Sequence, residues 1–322
     1  MDLRNVIFAI ALSFAVLFGW SVIFETPQVE KQKKLEQVQT KNEDSSTPSV
    51  NLVDTKNSVI SREEAVKTSA RVIFENENVK GSISLKGALI DDITFKKYNE
   101  TILEEKKVTY LNPLDTKDGY FVETGWAASN LAKVELPNTK TVWTVKGNKR
   151  LSDVNPVVLE WDNNSGLIFR KKIELDDKFL FRVTQEIQNK SKQTVELYPY
   201  AQITRNKKPD DVMGFYILHE GFIGVFDGEL KEDDYDDIKE NKISREASNG
   251  WLGITDKYWV TAVVPPADQN FKSSFLYKDT FKANYILNSP VKINANSNAN
   301  NQVRLFVAAK EVETVDGYAE SE

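Results

Sequence analysis

The feature that most limits what this chain can become is an alternation with a period of two, running from Arg71 toward the C-terminus. Phe179, Phe181, Val183 and Ile187 alternate with Arg182, Thr184 and Glu186, and Val195, Leu197, Ala201 and Ile203 repeat the pattern through TVELYPYAQITR. Successive side chains on a strand point to opposite faces, so this spacing makes one apolar face and one polar face. TVWTV (141–145), VVLEW (157–161) and WVTAVV (259–264) add β-branched and aromatic runs. Asn112-Pro113, Asp118-Gly119, Asn155-Pro156, Asn249-Gly250, Pro265-Pro266 and Ser289-Pro290 punctuate them with turn chemistry. Short strands, frequent turns and no long helical period specify an antiparallel sandwich or barrel. The strand-rich stretch, about 240 residues, exceeds an ordinary immunoglobulin-like sandwich. We therefore expect a mostly β fold, one large antiparallel two-sheet sandwich over residues 61–310.

A second pattern precedes it. Val6 to Phe24 reads VIFAIALSFAVLFGWSVIF, 19 residues without a charge. At about 1.5 Å per residue this helix would span close to 30 Å, the hydrocarbon thickness of a bilayer. A cleavable signal peptide has a shorter apolar core and a small-residue cleavage site, whereas this run ends in Phe24-Glu25-Thr26-Pro27. Residues 1–27 are read as one N-terminal transmembrane helix, with Trp20 near its outer end as an interfacial aromatic. Arg4 before the span and Lys31, Lys33 and Lys34 after it leave orientation open, because long following domains translocate largely regardless of charge.

Between these patterns lies a polar stretch with no Phe, Tyr or Trp from Glu25 to Ile73. Residues 28–60 are read as a flexible linker with a root-mean-square reach of roughly 30 Å. Ser61-Arg62-Glu63-Glu64 fits a capping box, which would start one short helix. DGELKEDDYDDIKE (227–240) is expected to be a solvated acidic loop, since it lacks the Gly that a calcium loop requires. NANSNANN (294–301) is expected to be a polar, turn-rich loop.

Composition removes several chemistries. No Cys means no disulfide framework, no Cys-ligated zinc and no thiol nucleophile, and a single His forbids a multi-His metal site. A formal charge of −6 argues against a nucleic-acid surface. Neither a Walker A, a dinucleotide fingerprint nor a G-x-S-x-G motif is present. Asp91-Asp92 and Asp176-Asp177 resemble paired carboxylates, but neighbours on a strand point apart, so they are read as turn or strand-end features. His219, beside Glu220, is either a base or a structural residue at a strand end. Gly250 to Trp259 (GWLGITDKYW) is either a stacking surface or a core strand with a tight turn before it. Trp251, Tyr258, Trp259 and His219 form the candidate binding or docking set. No cofactor, no metal and no enzymatic activity are expected.

A series of strings runs along the chain: Arg4-Asn5 with the apolar span to Trp20, then Lys86-Gly87-Ala88 with Ile90-Asp91-Asp92, and Lys97-Tyr98-Asn99-Glu100-Thr101. Gly125-Trp126, Leu136-Pro137, Thr141-Val142-Trp143, Trp161-Asp162-Asn163 and Ile217 to Gly221 follow, then Gly250 to Trp259, Leu305-Phe306 and Lys310-Glu311. In content and order these strings resemble the front part of the YidC-type bacterial membrane protein insertases. The resemblance implies a periplasmic β super-sandwich of mutarotase-like shape, with residues 311–322 beginning a connection to a membrane core. It implies the bacterial inner membrane as location, and a role in inserting and folding membrane proteins, alone or beside the Sec translocon. The partners would be nascent inner-membrane proteins, Sec translocon components and the lipid bilayer. The family's later membrane helices and their hydrophilic groove have no counterpart after Phe24, so no groove residue is transferred. Two other readings stay open: a membrane-anchored periplasmic carbohydrate-binding or mutarotase-like domain, and a tether without a ligand.

Overall fold

The computed structural model describes residues 59–103, 105–129, 134–210 and 219–310, all within one compact unit, Pro48–Glu322. The expected span, most of the linker and residues 311–322 lie outside the described residues. Among the described residues no helix is long and apolar enough to cross a membrane.

The chain opens with helix α1 (Arg62–Ala65), followed by strands β1 (Arg71–Glu75), β2 (Val79–Ser84), β3 (Leu89–Asn99), β4 (Lys107–Leu111) and β5 (Tyr120–Ala128). Next come β6 (Thr144–Lys146), β7 (Arg150–Leu151), β8 (Val157–Asp162), β9 (Leu167–Leu175), β10 (Leu180–Asn189) and β11 (Val195–Arg205). After β12 (Gly221–Phe226) and β13 (Glu229–Asp234) a second helix, α2 (Tyr235–Glu240), intervenes. The chain finishes with β14 (Ile243–Ala247), β15 (Gly250–Thr255), β16 (Trp259–Val264), β17 (Phe271–Lys278), β18 (Thr280–Leu287), β19 (Val291–Ile293) and β20 (Ser297–Ala309). α1 has the reciprocal cap its sequence promised: the Glu64 backbone donates to Ser61 Oγ, and the Ser61 backbone donates to the Glu64 carboxylate.

Two sheets result, as expected. The first has eleven strands in the order β14-β17-β18-β11-β5-β3-β2-β1-β7, with β19 on β11 and β4 on β3. The second has nine, β13-β12-β15-β16-β20-β10-β9-β8-β6. Every named pairing is antiparallel except the short β1–β7 contact. The core lies between the sheets, where Phe74 meets Phe181 edge-on at 5.2 Å and Phe222 meets Phe275 at 5.1 Å. Pro199, inside β11, is tolerated because its missing N–H falls where β11 changes partners, after β19 pairs at Leu197 and before β18 pairs at Tyr200.

Two expectations are corrected. The acidic segment 227–240 is not a loop: it forms β13, an edge strand on β12, and α2, which buries Tyr235 and Ile238. An edge position accommodates its charges, and two apolar side chains on one helical face anchor the rest. The Asn-rich segment keeps a turn only over 294–296; from Ser297 to Asn301 it extends β20, paired residue by residue against β10 from Asn189 to Gln185. A neighbouring strand with unused backbone groups overrides poor local propensity.

Candidate functional site

The predicted set divides between the two ends of β15. Trp251 stands near its start, cross-strand from Val225, which in turn faces Leu230. Leu252 and Ile254 enter the core, so alternation puts Trp251 on the outer face of the second sheet. Leu230 is 56% exposed while Trp251 and Val225 are partly buried, so this short apolar row meets solvent most fully at Leu230. Gly250 permits the approach: it has φ +138°, and a Cβ there would lie 1.9 Å from the Val225 carbonyl oxygen.

His219, Tyr258 and Trp259 come together at the other end. The Lys257 backbone donates to Glu220 Oε1 at 3.1 Å, tying the His219-Glu220 segment to the β15–β16 turn. His219 Nε2 lies 2.8 Å from the Phe222 carbonyl, which can only accept, so Nε2 carries the proton. Nδ1 faces Asp234 at 3.7 Å. One ring nitrogen is thus committed to the backbone, the structural alternative read from the sequence. Trp259 stacks on Phe95 at 4.7 Å and meets Tyr98 edge-on at 5.0 Å. Tyr258 is exposed, with Lys257 Nζ 5.0 Å from its ring. Beneath them Arg205 donates to Asp256 Oδ1 at 2.6 Å and to Tyr235 Oη at 3.1 Å, and its guanidinium lies over the Tyr120 ring.

The carboxylate pairs resolve differently. Asp176 Oδ1 accepts from the Lys178 and Leu180 backbones, an ordinary turn device between β9 and β10. Asp91 and Asp92 do not diverge as simple alternation requires, because a register shift in the β2–β3 pairing falls beside them. Asp91 pairs with Arg71 and Asp92 with Arg62 of α1, while Ser82 Oγ donates to Asp92 and accepts from Arg71 Nε. Burial pushes the Asp91 carboxyl up to about 6 against the pull of Arg71. The network holds α1 and β1 on the sheet.

A buried polar cluster was not anticipated. Glu123 of β5 accepts from Gln202 Nε2 at 3.2 Å, and Asn284 Nδ2 donates to Gln202 Oε1 at 3.4 Å. Lys171, from the facing sheet, donates to the Thr124 carbonyl at 2.6 Å and lies 5.1 Å from the Trp143 ring. Burial pushes Glu123 up to about 7, opposed by Lys171 and Lys282, and pushes Lys171 down to about 8, opposed by Glu123. Among the described residues no cluster of three or more acids or His could hold a metal. Glu123, Lys171, Tyr200 and Trp143 line a niche of ≈ 10 Å³, room for a single water. The available sequence signal was slight: a Glu within the otherwise apolar YFVETGW, and a Lys at an inward register position of FRKKIEL.

The fold and these clusters can be set beside known proteins. Residues 71–321 match the family model described as the YidC periplasmic domain. The chain is 45% identical over 321 residues to the membrane protein insertase YidC of Pelagibacter ubique, covering 100% of this chain and 57% of that protein. It is 39% identical over 338 residues to the membrane protein insertase YidC of Allorhizobium ampelinum, covering 98% of this chain and 54% of that protein. It thus spans little more than half the length of these relatives. In structure it resembles the galactose mutarotase related enzyme from Lactobacillus acidophilus, with a TM-score of 0.50 and 11% identity, over 74% of this chain and 97% of that one. That likeness concerns fold alone. With most of the sandwich and the Asp91-Asp92 and Gly250–Trp259 segments inside the matched residues, the chain belongs to the YidC periplasmic domain family.

Proposed function

We propose that this chain is the membrane-anchored, periplasmic part of a membrane protein insertase, acting on nascent inner-membrane proteins alone or with the Sec translocon. The observation that carries the reading is the 45% identity to a membrane protein insertase YidC along the whole chain. Residues 6–24 are the anchor, and the sandwich works by contact. Asp91 and Asp92 are taken up by arginines and Asp176 by backbone amides, and its one His gives a ring nitrogen to a carbonyl. The row Trp251, Val225 and Leu230 is the protein-docking surface, because it is apolar, open and carried on rigid strands.

The test is a photoreactive side chain in place of Trp251, in cells synthesising inner-membrane proteins. Adducts with nascent membrane proteins or Sec translocon components are expected. Adducts confined to unrelated periplasmic proteins reject the docking role. A carbohydrate-binding reading is favoured by one observation, the Glu123–Lys171 niche within a mutarotase-like fold. A niche sized for one water is too small for a sugar ring; micromolar sugar binding by calorimetry would reinstate that reading.

A further inference from the structure

The two connections of the sandwich leave from one end. Where the chain enters, the Ile60 backbone donates to the Asp115 carbonyl, and Ile60 bridges Thr116. That loop continues to Gly119, whose carbonyl accepts from Asn206, and to Tyr120, the cross-strand partner of Arg205. Arg205 binds Asp256, and the Asp256 backbone donates to the Trp259 carbonyl. Where the chain leaves, the Lys310 backbone donates to the Tyr258 carbonyl. An unbroken series of contacts therefore joins Ile60 to Lys310 across this end.

The β3–β4 hairpin projects from the same end. Its base is clamped by Trp259, against Phe95 and Tyr98. At its tip Ile102 is 101% exposed and Leu103 97%, more than any other large apolar side chain described. Water is a poor solvent for two adjacent branched aliphatics, and the hairpin carries them clear of the sandwich core. Tyr258, with its apolar ring and polar tip, stands near the hairpin base, 57% exposed.

We propose that this end of the sandwich rests on a phospholipid bilayer, with Ile102 and Leu103 inserted at the headgroup–acyl boundary and Tyr258 at headgroup level. The occupant is lipid because both connections emerge here, one of them leading back to the uncharged run at 6–24. The proposal rests on the membrane-anchored reading above.

The absence of Cys makes the test clean. Single-cysteine chains Leu103→Cys and Leu230→Cys, each full length and carrying an environment-sensitive fluorophore, are reconstituted into vesicles of phosphatidylethanolamine and phosphatidylglycerol. Position 103 should show blue-shifted emission quenched by brominated acyl chains, while 230 keeps a water-like spectrum. A chain that floats with the vesicles but has a water-like spectrum at 103 overturns the contact and leaves the anchor intact. Equal quenching at both positions also overturns it. A chain that fails to float overturns the anchored reading itself.

Discussion

The outer faces of the two sheets follow one backbone rule and reach opposite states. In the nine-stranded sheet, β10 alternates buried and partly exposed along almost its whole length. Its outer face carries a ladder of charges in which Arg170 reaches Glu160 at 2.8 Å, Glu186 at 2.9 Å and Gln188 at 3.0 Å. In the eleven-stranded sheet, β18 is buried at every position, and β5 at all but its last. There the outward-facing residues are Glu123, Gln202, Lys282 and Asn284, each 6% exposed or less. A wet face lets charges pair cheaply. A dry face makes each polar group depend on a partner, and there burial raises the Glu123 carboxyl.

Substitutions can break or sharpen this contrast. The largest effect is expected between the sheets: Phe181→Ala, at a fully buried ring, should cost about 3–5 kcal/mol, read from urea midpoints. Next is the pH response of the dry face. Glu123 has its carboxyl raised to about 7, so its contribution is fully present below the unfolded value near ~4.3 and lost as pH rises through about 7. The shift amounts to roughly 3–4 kcal/mol. The stability advantage of the natural chain over Glu123→Gln should therefore shrink between pH 5 and pH 8; an unchanged difference would show that Glu123 is not buried as described. Third, Gln202→Ala removes partners from both Glu123 and Asn284 and should cost about 1–3 kcal/mol. Least of all, Arg170→Ala on the wet face should cost about 1 kcal/mol or less, and less still at high salt. If Arg170→Ala cost more than Gln202→Ala, the contrast between the faces would be wrong.

The same contrast explains what the sequence could be made to say. β10 and β11 were legible from Phe179 to Ile203 because alternation is clean where one face is wet. Two-sheet β architecture and the α1 cap followed from local chemistry. β13, α2 and the start of β20 were not legible, because DGELKEDDYDDIKE and NANSNANN owe their structure to neighbouring strands and two buried side chains. The convergence of Asp91 and Asp92 needed a register shift that no spacing rule supplies. The Glu123–Lys171 cluster was hidden for a related reason: one partner comes from each sheet, 48 positions apart in sequence. Of the predicted set, Tyr258, Trp259 and His219 gather at one end of the sandwich, while Trp251 stands at the other end of β15.

The central claim is that the sandwich lies on the periplasmic side of an inner membrane that the N-terminal segment crosses. The most direct measurement is labelling of the full chain carrying Leu230→Cys by a membrane-impermeant maleimide in bacterial cells with a permeabilised outer membrane. The account predicts that Leu230→Cys is modified while the inner membrane is intact. Modification only after the inner membrane is broken would contradict it.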